Sequence, residues 1–205
     1  MNETEHWEEI YSTRSASQVG WYAAHLETSI KWITELKLAP EDPLIDIGGG
    51  ASTLVDDLLK SGHRNLTVLD LSRRALQLSQ QRLNQQSSAI TWLNGDVTEI
   101  ELPPKYFCMW HDRAVFHFLI EAEAQQKYRD AMLKTLKIGG YFLIGTFSPD
   151  APPQCSGLPV QRYTSDLLGK IFGKEFELKR QQNEIHYTPS GVEQAYIYCL
   201  FLRTA

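Results

Sequence analysis

Three acids stand at the ends of three successive strand-like runs. Asp46 falls within Leu44-Ile45-Asp46-Ile47, Asp70 closes Leu66-Thr67-Val68-Leu69, and Asp96 follows Ile90-Thr91-Trp92-Leu93. Just past the first come Gly48, Gly49 and Gly50, and then a helical pattern. Glycine permits positive φ and lets a ligand approach the main chain with no Cβ in the way. A strand, a glycine turn and a helix start together mark the nucleotide side of a doubly wound sheet, although such turns also serve as plain connectors. A dinucleotide is the first ligand to test. Its site needs a third glycine for close helix packing and presents a helix N-terminus to a pyrophosphate. Thr53 occupies that third position here, and Asp46 would set a negative charge beside the anion. A cationic ligand suits the arrangement better. Asp70 is then placed to accept from two ribose hydroxyls, and Asp96 from an adenine amino group.

The elements that must hold these residues can be read along the chain. Residues 3–12 form an amphipathic segment in which Trp7 and Tyr11, four apart, share a face. Trp21-Tyr22 opens a second helical pattern, with Leu26, Ile30, Ile33 and Leu36–Leu38 as its apolar stripe. Pro40 and Pro43 punctuate the passage into the first strand. Ser52 is a candidate N-cap for a helix carrying Leu54, Val55, Leu58 and Leu59, which Gly62 ends. Ser72 to Leu83 reads as helix, and Tyr106 to Trp110 as a fourth strand running into His111-Asp112-Arg113. A helix from about Glu121 to Leu136 is stopped by Gly139-Gly140, and Tyr141 to Phe147 makes a fifth strand. Ser148 to Pro159, rich in Pro, Ser and Gly, reads as a loop beyond a strand's C-terminal edge, where ligands bind in open α/β sheets. After a short helix from Thr164 to Phe172, the runs Phe176–Gln182 and Val192–Arg203 form a hairpin around Thr188-Pro189-Ser190-Gly191. Alternating strands and helices of these lengths predict a parallel sheet with right-handed crossovers.

The chain has 205 residues, enough for one domain that buries roughly 70% of its chain surface. Its 42% hydrophobic and 22% charged content is that of a soluble globular protein. A net charge of −5 gives no general attraction to nucleic acid. Cys108, Cys155 and Cys199 are an odd count without metal-ligand spacing; the first and last fit core strands, and Cys155 lies in the loop. The acidic start Met1–Glu5 leads into no apolar run, so neither a secretory leader nor a membrane span is expected, and a reducing cytoplasm is the expected location.

Asp46-Ile47-Gly48-Gly49-Gly50, Asp70-Leu71-Ser72, Gly95-Asp96-Val97 and the terminal hairpin together resemble the class I S-adenosylmethionine-dependent methyltransferases over nearly the whole length. The resemblance implies an α/β, Rossmann-like, doubly wound sheet of seven strands, mostly parallel with a C-terminal antiparallel hairpin. It also implies one domain: an N-terminal helical lid over 1–40, a cofactor-binding core over 41–147, and a substrate loop with the hairpin over 148–205. S-adenosyl-L-methionine is the implied cofactor. Its contacts carry over to Asp46, Gly48, Gly49, Gly50, Asp70, Leu71, Asp96, Val97 and His111; Ser52 departs mildly from the small residue usual there. Trp7, Tyr11 and Trp21 resemble the aromatics that cover the cofactor in elongation-factor lysine methyltransferases. The Asp112-Arg113-Ala114 run, with Pro152-Pro153, Val160 and Leu167 to Phe172, is instead similar to the thiopurine and thiol methyltransferases.

Methyl transfer from a sulfonium is an in-line displacement in which positioning supplies most of the acceleration. A thiol of pKa ~8.5 needs little help to ionise, whereas a lysine of pKa ~10.4 must be desolvated or deprotonated. Asp112, Arg113 and His117 follow the fourth strand, where the acceptor should lie, and are the candidate catalytic residues. His117 could serve as a base, but a histidine between Phe116 and Phe118 is more often a packed, hydrogen-bonded core residue. Arg113 could hold Asp112, bind an anionic substrate, or form a structural ion pair. The Asn/Asp-Pro-Pro-aromatic motif of base-amino methylation and a Pro-Cys nucleophile are both absent. A small-molecule acceptor, with a thiol among the candidates, is therefore expected ahead of a protein lysine, with cofactor binding without transfer as a third reading.

Overall fold

The computed structural model describes residues 2–205. Asn2 caps the first helix, α1 (Glu3–Thr13): its side chain accepts from the Glu5 N–H while the Glu5 carboxylate accepts from the Asn2 N–H. The helix α2 (Glu27–Glu35) follows. It begins later than expected: residues 19–26 are irregular, so Trp21 and Tyr22 lie on a connecting turn. Then come β1 (Leu44–Ile47), α3 (Leu54–Lys60), β2 (Leu66–Asp70), α4 (Arg73–Leu83), β3 (Ile90–Asn94) and β4 (Phe107–Arg113). Ser52 reaches the start of α3 by accepting from the Leu54 N–H, and Ser72 caps α4 through the Ala75 N–H.

The remaining elements are α5 (Ala122–Thr135), β5 (Leu136–Phe147), β6 (Gln154–Cys155), β7 (Leu158–Pro159), α6 (Ser165–Phe172), β8 (Phe176–Tyr187) and β9 (Glu193–Arg203). Gly139-Gly140 does not end the helix. Strand β5 has already begun at Leu136, which pairs with Phe107 across a register shift, and both glycines lie inside it. The expected loop over 148–159 contains the small β6–β7 hairpin.

Seven strands form one sheet in the order β3-β2-β1-β4-β5-β9-β8. The first five are parallel, β9 enters antiparallel to β5, and β8 closes the edge antiparallel to β9. Strand order reverses between β1 and β4, which opens a crevice above their C-terminal ends. Helices cover both faces. Trp32, Ile33, Leu54, Leu58 and Leu76 pack α2, α3 and α4 on one side, while Tyr128, Met132, Leu168 and Phe172 pack α5 and α6 on the other. Each such side chain contributes about 1.5–3 kcal/mol by leaving water, so the sheet is a rigid platform for its strand ends. No described helix is long and apolar enough to cross a membrane.

Candidate active site

The C-terminal ends of β1, β2 and β4 and the turn after β3 border a cavity roofed by α1. It holds about 800 Å³ of space, its open mouth included. Of the glycine turn, Gly48 lines it, whereas Gly49 borders only a neighbouring recess and Gly50 neither space. Gly48 has φ 66°, and a Cβ there would run into Val115. A Cβ on Gly49 would overlap Asp46 Oδ2, and one on Gly50 would stand 2.5 Å from Asp70 Oδ2 and 2.6 Å from Ala75. Two carboxylates thus close over the turn, and only glycine leaves room for them.

Asp70 accepts from the Gly50 N–H at 2.9 Å and the Ser72 N–H at 2.8 Å. Burial pushes its carboxyl up to about 6, and those two N–H groups hold it from rising further. Asp96 takes the Thr98 N–H and hydroxyl on Oδ1, both at 2.7 Å. Leu71 and Val97 border the same cavity. Asp46 Oδ1 lies 2.6 Å from His111 Nδ1, while its Oδ2 is buried without a hydrogen-bond partner among the described residues. A second, smaller recess holds Asp46, Gly48, Gly49, His111 and Arg113. Within it His111 is only 1% exposed, with Nε2 taken by Ser29 at 2.9 Å.

The N-terminal aromatics meet over the cavity. Trp7 stands edge-on to Trp21 at 5.5 Å and to Phe118 at 5.0 Å, and Trp21 Nε1 donates to the Tyr11 hydroxyl at 3.0 Å. All three of Trp7, Tyr11 and Trp21 line the space.

Of the residues expected to act on the acceptor, the structure brings one to the cavity. Arg113 donates from Nε to the Tyr198 hydroxyl at 2.8 Å and from Nη1 to the Trp21 carbonyl at 2.9 Å, with its guanidinium 4.6 Å over the Tyr196 ring. Asp112 corrects the expectation. Because β4 continues to Arg113, alternation along the strand turns Asp112 to the opposite face of the sheet. There it is 0% exposed and accepts from the Tyr128 hydroxyl at 2.7 Å and the Val115 N–H at 3.1 Å. It neither pairs with Arg113 nor reaches the cavity. Burial raises its carboxyl to about 6.

His117 is a second correction. It borders neither recess, packing instead between Phe118 and Phe147 at ring distances of 4.5 and 4.6 Å. Both ring nitrogens lack hydrogen-bond partners among the described residues, so it is packed but not hydrogen-bonded as a core histidine should be. Burial, then the charge of Arg113, pushes it down to about 3, so it stays neutral at physiological pH.

Sequence reasoning missed Cys155 as a cavity residue and Ser29, Tyr196 and Tyr198 as supports. Cys155 reaches the cavity because β6–β7 folds the loop inward; burial pushes its thiol up to about 11. Ala114, with φ 67°, turns the chain sharply after Arg113, a strained position for a residue with a Cβ.

The free Asp46 oxygen, the glycine turn and the Asp70 and Asp96 carboxylates fit a cationic adenine nucleoside. Comparison with known proteins agrees. Residues 44–140 match a family described as a methyltransferase domain. The mouse eEF1A lysine and N-terminal methyltransferase is 23% identical over 145 residues, covering 68% of this chain and 20% of that protein. The chain thus spans about a fifth of the length of the first curated relatives it matches. Human EEF1A lysine methyltransferase 2 is 25% identical over 154 residues, covering 68% of this chain and 65% of that protein. Among solved structures, the N-methyltransferase NodS of Bradyrhizobium japonicum WM9, in complex with S-adenosyl-L-homocysteine, superposes with a TM-score of 0.74 at 16% identity over 100% of both chains. A structure described as "Conversion of a Disulfide Bond into a Thioacetal Group during Echinomycin Biosynthesis" gives 0.80 at 15% identity over 99% of this chain and 92% of that one. With its sheet order and its acids at successive strand ends, the chain has the fold of S-adenosylmethionine-dependent methyltransferases, and its residues 44–140 match a methyltransferase domain.

Proposed function

We propose that this chain methylates a small molecule enclosed beneath its N-terminal segment, with a thiol as the leading acceptor class. The observation that carries the reading is the character of the space near the glycine turn. Trp7, Trp21, Phe118 and Cys155 wall it, with Arg113 as the cation and Glu3 as the acid beside those that hold the nucleoside, a mainly apolar lining rather than the acidic groove that a lysine side chain would favour. When bound, S-adenosylmethionine supplies a methyl group already activated on a sulfonium. The chain's own task is then alignment and exclusion of water. Asp70 and Asp96 hold the nucleoside, and residues 1–40 act as a lid through Trp7, Tyr11 and Trp21. With Arg113 taken up by the carboxylate of the cofactor's amino-acid tail, the acceptor must ionise readily on its own, as a thiol of pKa ~8.5 does and a lysine of pKa ~10.4 does not. A general base is not required, which agrees with Asp112 and His117 lying off the cavity.

The names of the curated relatives support transfer to a protein lysine as a second reading. The test is the purified protein with methyl-labelled cofactor, offered a panel of small thiols, phenols, carboxylic acids and amines beside purified elongation factor 1A. Label on a small thiol is the expected result. Label on the protein substrate would replace this reading with the second, and bound cofactor with no transfer to any acceptor would favour a binding protein.

A further inference from the structure

Behind the cavity wall stand buried polar groups that the reaction as described does not use. Ser29, in the first half of α2, has its hydroxyl 2.9 Å from His111 Nε2, and His111 Nδ1 is 2.6 Å from Asp46 Oδ1. Serine, histidine and aspartate at such distances are the constellation of an activated nucleophile. Access excludes that role: Ser29 is 0% exposed and borders neither recess. A second support stands beside the first: the Tyr198 oxygen receives the Nε–H of Arg113 at 2.8 Å.

A carboxylate only accepts, so His111 Nδ1 carries a proton and gives it to Asp46. A guanidinium only donates, so the Tyr198 oxygen accepts from Arg113. Ser29, on His111 Nε2, fixes the ring that holds Asp46, and Tyr198 fixes Arg113. Two charged groups are thus each held from behind. One is a guanidinium with no acid paired to it among the described residues. The other is a carboxylate whose Oδ2 has no partner among the described residues and lies against Gly49. Asp46 and Arg113 both border the smaller recess. That recess therefore presents an acceptor for an ammonium and donors for a carboxylate, the complement of an α-amino-acid zwitterion.

We propose that Ser29, His111 and Tyr198 are positioning residues for the amino-acid tail of the cofactor. They hold Asp46 with Oδ2 turned to the tail ammonium and Arg113 turned to its carboxylate. This deepens the methyltransferase reading and rests on it.

The test compares two ligands by calorimetry: S-adenosylhomocysteine, which has the tail, and 5′-methylthioadenosine, which keeps the nucleoside and thioether but lacks it. Ser29→Ala, distant from both ligands, should weaken S-adenosylhomocysteine by about fivefold, the effect of one hydrogen bond, and change methylthioadenosine less than twofold. His111→Leu should lose more, again for the tailed ligand only. His111→Asn, whose amide can still donate to Asp46, should recover most of that loss. Equal weakening of both ligands, or no change in either, would overturn the proposal. If His111→Leu fails to fold, Ser29→Ala with its unliganded melting temperature decides alone. Parent protein that binds neither ligand would overturn the cofactor reading itself, a distinct outcome.

Discussion

Replacing Asp70 with Asn should make the protein easier to keep folded near neutrality and harder to load with cofactor. The carboxyl is buried, and its value rises from 3.8 to about 6, chiefly through loss of solvation. A raised carboxyl takes up its proton more readily folded than unfolded. Folding therefore carries no penalty from this group below the unfolded value near 3.8, and carries the whole of it above about 6. Between pH 4 and 7, two protonation curves displaced by that interval differ by about 2 kcal/mol. Asp70→Asn does not titrate there, so its unfolding free energy minus that of the parent should grow by about 2 kcal/mol as pH rises from 4 to 7. Asp112 titrates alike in both proteins and cancels. Urea unfolding at pH 4, 5, 6 and 7 measures the difference at each point. The same variant should bind S-adenosylhomocysteine more weakly by about 1.5–3 kcal/mol, since it offers the ribose no charged acceptor. A stability difference that stays flat across this range would refute the buried, ionised Asp70 on which the reasoning depends.

Four other outcomes are expected. Gly50→Ala should cost about 1–3 kcal/mol of stability through overpacking and lose cofactor binding, because the new methyl meets the Asp70 carboxylate at 2.5 Å; calorimetry and thermal melting check both. Asp112→Ala should cost about 3 kcal/mol in urea unfolding, through stranding the Tyr128 hydroxyl and two backbone N–H groups, yet leave cofactor affinity unchanged. Asp96→Ala should lose the parent's preference for the adenine nucleoside over its inosine analogue in a competition assay. Hydrogen exchange across residues 3–22 should slow on adding S-adenosylhomocysteine far more than exchange around Val68, and deleting residues 1–12 should cost affinity more than apo melting temperature.

The sheet was legible because its strands are near-continuous apolar runs ending in acids, and because β1 meets three glycines. Positions along β4 were legible in principle and misread in practice. Ending the strand at Trp110 left Asp112 and Arg113 in a loop where both could face the acceptor; carrying it to Arg113 makes strict alternation turn them to opposite faces. The glycines at 139–140 read as a helix stop because a register shift opposite Phe107 leaves no local mark. Ser29 and Tyr198 had no signal at all. A serine on an amphipathic helix and a tyrosine on a strand are ordinary residues until the fold brings them to His111 and Arg113, 82 and 85 positions away. His117 stood as a candidate base because nothing local shows that Phe147, 30 positions on, packs against its ring and that the ring borders neither recess.

The most direct test is the structure of this protein with S-adenosylhomocysteine bound. The ribose hydroxyls should lie within hydrogen-bond distance of Asp70, the adenine edge beside Asp96 and Val97, and the amino-acid tail between Asp46 and Arg113. The sulfur should then face the space walled by Trp7, Phe118 and Cys155. A ligand seated elsewhere, or one whose sulfur faces open solvent away from those side chains, would contradict the enclosed small-molecule site proposed for this chain.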